Sequence, residues 1–262
     1  MNHETLTRTG WDRRLLLLQG GALALAGCGG SRSTAPVANP VCLQVLVPAY
    51  FYKTNTAWTQ MVATTQPLVV IANANSGPGA ALDVGYQLAI NEIRAAGHRV
   101  KAYVHTLYGK RDPALVLADM DAWSRLYGVN DFFIDEASAL TQDLAYYRDL
   151  LAAASAKNPA RKYMLNPGTT PVAGYFDLSP GVEVLVFEKP WSSYDASSLP
   201  AWLDTVASQC WIMALSATEV QMQEVAAIAR ARRFAGFFAT NVPFTSGLPA
   251  YWNSQARLAI CS

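Results

Sequence analysis

Eight short runs of almost uninterrupted apolar residues recur along the chain, and they constrain its fold more than any other feature. They read "CLQVLVP", "PLVVIAN", "RVKAYVH", "DFFID", "KYMLN", "VEVLVFE", "CWIMALS" and "FAGFFAT". Strands wet on one face alternate apolar with polar, whereas strands apolar throughout belong to a parallel sheet covered on both faces. Between them, "LDVGYQLAINEIRAAG", "LVLADMDAWSRLYG", "TQDLAYYRDLLAAASA" and "ATEVQMQEVAAIARARR" carry apolar positions at helical spacing and stop near Gly or basic residues. About eight strands, mostly with a helix after each, favour a single-domain α/β fold, the (β/α)8 TIM barrel, over a doubly wound sheet. After "KYMLN" a helix is hard to find in "TTPVAGYFDLSPG", which has room for a turn at most.

The barrel is expected over residues 41–262. Ahead of it, Arg8, Arg13 and Arg14 form a positive flank to "LLLLQGGALALAG", an apolar run too short to span a bilayer, so residues 1–27 read as a signal peptide. "LAGC", Leu25 to Cys28, resembles a bacterial lipobox, with Cys28 as the lipidated residue. Residues 28–40 are a Gly/Ser/Pro/Thr tether with nothing to pack. The expected location is therefore extracytoplasmic, in the periplasm or at the cell surface, with the membrane reached by the lipid anchor alone. Three more cysteines follow. A bridge between Cys42 and Cys261 is expected because chain ends often lie close together, and Cys210 reads as a buried hydrophobe.

Lys and Arg number 20 against 19 Asp and Glu, and a net charge of +1 offers no basic field for nucleic acid. With three His and no CxxC, neither a metal site nor another cofactor is expected, and the chain reads as a monomer.

In such a barrel the functional face is built from strand C-termini and the loops after them. There the sequence places Tyr50 and Tyr52, then Asn73, Asn75 and Ser76, then His105, Thr106 and Tyr108. Asp135 and Glu136 close the fourth strand, Asn166 the fifth, Glu188, Lys189 and Trp191 the sixth, Thr240 and Asn241 the eighth. "NANSGPG" follows a strand but lacks the Lys of a P-loop, and a tight turn is the better reading, with Asn73 or Asn75 left to face a ligand. His105 lies on the rim as a substrate contact or a packed hydrogen-bonder; His98 belongs to a turn on the opposite rim. No GxSxG supports a nucleophilic serine.

The carboxylates are the stronger signal. Asp135, Glu136 and Glu188 each follow directly on an apolar strand. A pair of acids, one kept protonated by apolar surroundings and one ionised, is what glycoside hydrolysis needs. The bland alternative makes Asp135 a helix cap and pairs Glu188 with Lys189 or Arg111. Tyr50, Tyr52, Tyr103, Tyr108, Trp191 and Trp252 offer faces on which sugars stack, or core packing.

From "VLVPAYFY" through "NANSGPG", "AYVHTLYGKR", "FFIDE", "LNPGTTP" and "VLVFEKPW" to "GFFATN" and "LPAYW", the chain resembles the spherulation-specific family 4 (spherulin 4-like) proteins, related to glycoside hydrolase family 135. The resemblance implies a (β/α)8 barrel and hydrolysis of α-1,4-linked galactosamine or N-acetylgalactosamine polymers of extracellular or biofilm matrix. It puts the catalytic acids at Asp135, Glu136 and Glu188. Glu188 is then expected as general acid/base and Asp135 as nucleophile, with Glu136 orienting substrate or exchanging roles with Asp135. Expected substrate contacts are Tyr50, Asn73, Asn75, Tyr103, His105, Tyr108, Asn166, Trp191 and Asn241. The alternative is a carbohydrate-binding surface lipoprotein that keeps the barrel without turnover. Ala74, Ala102 and Asp131 depart from the family pattern, which has Pro, Gly and Gly there, and are expected to alter packing close to the rim.

Overall fold

The structure is a computed structural model that describes residues 42–259. All eight apolar runs are strands: β1 (Gln44–Ala49), β2 (Leu68–Ala72), β3 (Arg99–His105), β4 (Asp131–Asp135), β5 (Lys162–Leu165), β6 (Glu183–Pro190), β7 (Cys210–Leu215) and β8 (Gly236–Ala239). Each pairs in parallel with the next and β8 returns to β1, so the sheet closes. This is the expected (β/α)8 barrel. The expected signal peptide, tether and Cys28 lie outside the described residues, as does Cys261. Cys42 is disulfide-bonded. Cys210 is a buried free thiol, pushed up to about 12 by burial.

The helices are α1 (Ala57–Val62), α2 (Val84–Ala95), α3 (Pro113–Tyr127), α4 (Leu144–Lys157), α5 (Glu219–Ala231) and α6 (Trp252–Ala256). Their ends follow local chemistry. Asp83 accepts from the Gly85 and Tyr86 amides at the start of α2. Asp112 caps α3 ahead of Pro113, whose missing N–H costs nothing in a first turn, and Gly128 ends that helix at φ 64°. Thr218 and Gln221 form a reciprocal capping box on α5. Two elements differ from expectation by their presence: α1 and α6 are too short for a helical period to stand out. After β5 and β6 the crossovers are 3₁₀ turns, Ala173–Asp177 and Ala201–Gln209. Pro171 and Pro180 bracket the first and leave too little chain for a helix.

One irregularity re-aims a side chain. On β6 the pairing to β7 runs Val184 with Cys210 and Leu185 with Trp211, then jumps to Phe187 with Ile212, leaving Val186 as an extra residue. Glu183 and Glu188 are separated by an odd number of positions and would face opposite sides of a regular strand. The bulge restores the parity, so both reach the barrel interior.

At the strand N-termini the interior is closed by charge. Lys101 is fully buried and bridges Asp131 (2.5 Å) and Glu183 (2.6 Å). Arg99 bonds the same two acids at 3.0 and 3.2 Å. The Trp211 indole N–H donates to Glu183 at 3.2 Å, and its ring lies so close over Gly236 that a Cβ there would meet it at 2.3 Å. Opposite charges at this range outweigh burial and hold Glu183 below the usual carboxylate range. The expectation that Asp131 alters packing close to the rim is corrected: it opens β4 at the far pole, where Arg99 and Lys101 pair with it. His98 lies at this pole too, buried, with Nδ1 accepting from Leu68 N and Nε2 donating to Met61 O at 2.9 Å.

Candidate active site

Asp135, Asn166 and Glu188 end adjacent strands β4, β5 and β6, and the structure joins them through one amide. Asn166 Nδ2 donates to Asp135 Oδ1 at 2.7 Å and also to Glu188 Oε2. Two oxygens bonded to one nitrogen lie within about 5.5 Å of each other at ordinary hydrogen-bond lengths. Among the described residues no Lys or Arg pairs with Asp135, Glu136 or Glu188: Lys189 reaches Thr169, and Arg111 is held by Asp119 and the His105 carbonyl. Nor does Asp135 cap a helix. Both bland readings of the acids therefore lapse.

The two carboxylates differ in their donors. Burial pushes Asp135 up, but the Glu136 amide, Asn166 and the Tyr103 hydroxyl all bond it and favour its charged form. Glu188 has burial and the neighbouring charge of Asp135 against it and Asn166 alone in its favour, and it is raised to about 7. Both carboxyls are thus raised, Asp135 against three donors and Glu188 against one.

Glu136 leaves β geometry as soon as β4 ends. Its φ is 50°, and its carbonyl accepts from Thr106 Oγ1 at 2.9 Å and from the Tyr108 amide at 2.6 Å. Leu107 and Tyr108 also have positive φ, so two irregular turns brace each other. Glu136 Oε2 is buried and finds no hydrogen-bond partner among the described residues.

Around the pair, Tyr50 packs edge-on against Tyr103 at 5.5 Å and Phe244 at 5.7 Å. Burial and the charges of Asp135 and Glu188 raise the Tyr50 hydroxyl well above its ordinary value. Burial also raises Tyr103, with Asp135 next. His105 pairs in register with Asp135 and lies tilted against Tyr103 at 6.3 Å. These expected contacts gather at one place. Others do not. Trp191 is buried, stacked on Tyr194 at 4.4 Å with its indole N–H on Glu224 at 3.1 Å. Asn73 spends its side-chain oxygen on the Gly77 amide at 3.0 Å, and Asn241 accepts from the Ala250 amide at 3.3 Å. Asn75 and Tyr108 are exposed on their loops.

The profile of spherulation-specific family 4 matches residues 44–259, nearly all of the described chain. The chain belongs to spherulation-specific family 4. Spherulin-4 of Physarum polycephalum is 34% identical over 165 residues, covering 61% of this chain and 48% of that protein. The chain thus spans about half the length of the curated relative it matches. Among solved structures, Aspergillus clavatus Sph3 in complex with GalNAc superposes with a TM-score of 0.69 at 24% identity, over 85% of this chain and 98% of Sph3. The spore cortex-lytic enzyme SleL of Bacillus megaterium gives 0.52 at 10% identity, over 86% and 75%. At these identities the two structures show that the fold is shared.

In this member of spherulation-specific family 4, sequence reasoning missed Phe244 and the bulge at Val186. Phe244 sits in a loop after β8, and only its place beside Tyr50 distinguishes it. A bulge signal would have been the odd spacing between Glu183 and Glu188 on one strand.

Proposed function

We propose that this protein is a retaining glycoside hydrolase of amino-sugar-rich exopolysaccharide, with Asp135 as nucleophile and Glu188 as general acid/base. The observation that carries the reading is the bridged pair: two buried carboxylates on one amide nitrogen, both raised by burial, Asp135 with three donors and Glu188 with one and lifted to about 7. Carboxyl groups about 5–5.5 Å apart suit a covalent intermediate, whereas inverting enzymes leave about 6.5–9.5 Å for a water.

In the first step a carboxylate oxygen of Asp135 bonds the anomeric carbon as the glycosidic C–O bond breaks. The proton of Glu188 passes to the departing sugar oxygen. In the second step a water attacks the anomeric carbon, Glu188 takes its proton, and Asp135 leaves as carboxylate. Glu136, with a buried oxygen that has no donor among the described residues, is suited to accept a hydrogen bond from a substrate hydroxyl or ammonium. Galactosamine or N-acetylgalactosamine polymers linked α-1,4 are the proposed substrate, in keeping with the GalNAc held by Sph3, and the lipid anchor at Cys28 would place the enzyme outside the cytoplasm.

The test is incubation of the purified protein with fully and partly acetylated galactosamine polymers, reading released oligosaccharides by mass spectrometry. Products from wild type but not from Asp135→Asn or Glu188→Gln support the reading. Saturable polymer binding without products would make the protein a lectin-like binder on the same barrel, and neither binding nor products would overturn both.

A further inference from the structure

Asn166 is 5% exposed, and every hydrogen-bonding atom of its side chain is committed. Its oxygen accepts from the Gly168 amide at 3.0 Å. That contact determines which way the amide faces, because a flipped side chain would set Nδ2 against an N–H and an oxygen against two carboxylates. With the oxygen anchored, the two N–H bonds of Nδ2 point one to Asp135 and one to Glu188. The main chain repeats the pattern. Asn166 N donates to Ile134 O and its carbonyl accepts from Ala137 N, both at 2.9 Å, gripping β4 on either side of Asp135 and Glu136. Gly168, at φ 65°, accepts from the Glu188 amide at 3.1 Å. The turn Asn166–Pro167–Gly168 thus ties the end of β4 to the end of β6 through five main-chain or side-chain links.

A contact for substrate needs a free donor or acceptor, and Asn166 has no free N–H. We infer that Asn166 is the positioning residue of the Asp135–Glu188 pair, holding both carboxyl groups at one nitrogen, and is not one of the substrate contacts. The inference rests on the glycosidase reading for its kinetic consequences but not for its titration. Because both N–H bonds belong to one nitrogen, they hold the two acids at a set distance from each other.

The test compares wild type with Asn166→Ala and Asn166→Asp in the otherwise intact protein. Thermal unfolding first checks that each variant folds, and Asn166→Asp preserves side-chain size. In Asn166→Ala, kcat should fall about 10²-fold with KM nearly unchanged, as expected when reacting groups lose alignment. Both limbs of the pH profile should move to higher pH, since Asn166 favours the charged form of each acid. Asn166→Asp should be worse than Asn166→Ala at pH 7, because it sets a third carboxylate between two; a residue that only filled space would give the reverse order. Titration of the Asp135 and Glu188 carboxyl carbons by NMR reads the same shifts without substrate. A raised KM with pH limbs and carboxyl titrations unmoved would overturn the inference. Inactive wild type with shifted carboxyl titrations would instead sink the glycosidase reading and leave the positioning role standing.

Discussion

Strands β4 and β6 each carry an acid at both ends, and the two poles of the barrel treat those acids in opposite ways. At the N-terminal pole Asp131 and Glu183 share Arg99 and Lys101, four charges that balance. At the C-terminal pole Asp135 and Glu188 share a neutral amide, with Glu136 beside them and no cation in reach among the described residues. Glu183 is held low and Glu188 is lifted, although both are glutamates on one strand inside one barrel. The comparison separates what burial does from what partners do. Burial raises both; only a paired cation reverses the sign. One pole compensates its buried charges and the other leaves them uncompensated.

The largest expected effect breaks the C-terminal pole. Glu188→Gln should lower oligosaccharide release about 10²- to 10⁴-fold while leaving the melting temperature at neutral pH equal or higher, measured by product analysis beside calorimetry. The mirror experiment breaks the other pole. Lys101→Met leaves two buried carboxylates with Arg99 alone and should cost about 3–5 kcal/mol in denaturant unfolding, with turnover per folded molecule little changed.

The sign of the pH dependence sharpens the contrast. Glu188 has a folded value near 7 against an ordinary 4.5, so the native state binds its proton more tightly than the unfolded chain does. It is neutral in its effect on stability below its unfolded value and destabilises progressively as pH rises towards 7, by on the order of 1–3 kcal/mol. Glu183 is lowered, so its contribution is present above its unfolded value and is lost as pH falls. The stability advantage of Glu188→Gln over wild type should therefore appear between about pH 5 and 7 and be absent at pH 4. Glu183→Gln should show a deficit at pH 7 that shrinks on acidification. A Glu188→Gln advantage independent of pH would count against the raised value. The smallest effect belongs to Tyr103→Phe, which removes one of three donors to Asp135. It should reduce kcat about tenfold and shift the acid limb of the profile upward, with little change in melting temperature.

How far these features could be read beforehand depended on their range. All eight strands and the four long helices announce themselves by local pattern, because burial on both faces leaves the strands almost wholly apolar between their ends. Helices α1 and α6 do not, since each spans too few residues to show a period. The acids Asp135, Glu136 and Glu188 were legible because a charge directly after an apolar run needs a reason. Trp191 looked equally good and instead stacks on Tyr194, a contact between neighbours in sequence that composition cannot distinguish from an open sugar platform. The ion-paired floor was invisible for a different reason: Arg99, Asp131 and Glu183 begin strands and Lys101 lies two residues into one, where charges read as ordinary boundaries until closure of the barrel brings them together. Asp131 in particular looked like a change near the rim and proved to belong to the other end.

The extra residue at Val186 means that β6 is read in two frames. Up to Leu185 one set of alternate positions faces the barrel axis; from Phe187 onward the other set does. A scan of all single substitutions along this strand should thus show tolerance alternating with a period of two whose phase inverts once, at Val186. Removing that one residue would leave Glu188 chemically unchanged and turn it toward the helices, so its place beside Asp135 is encoded as much by the chain's count as by its own identity.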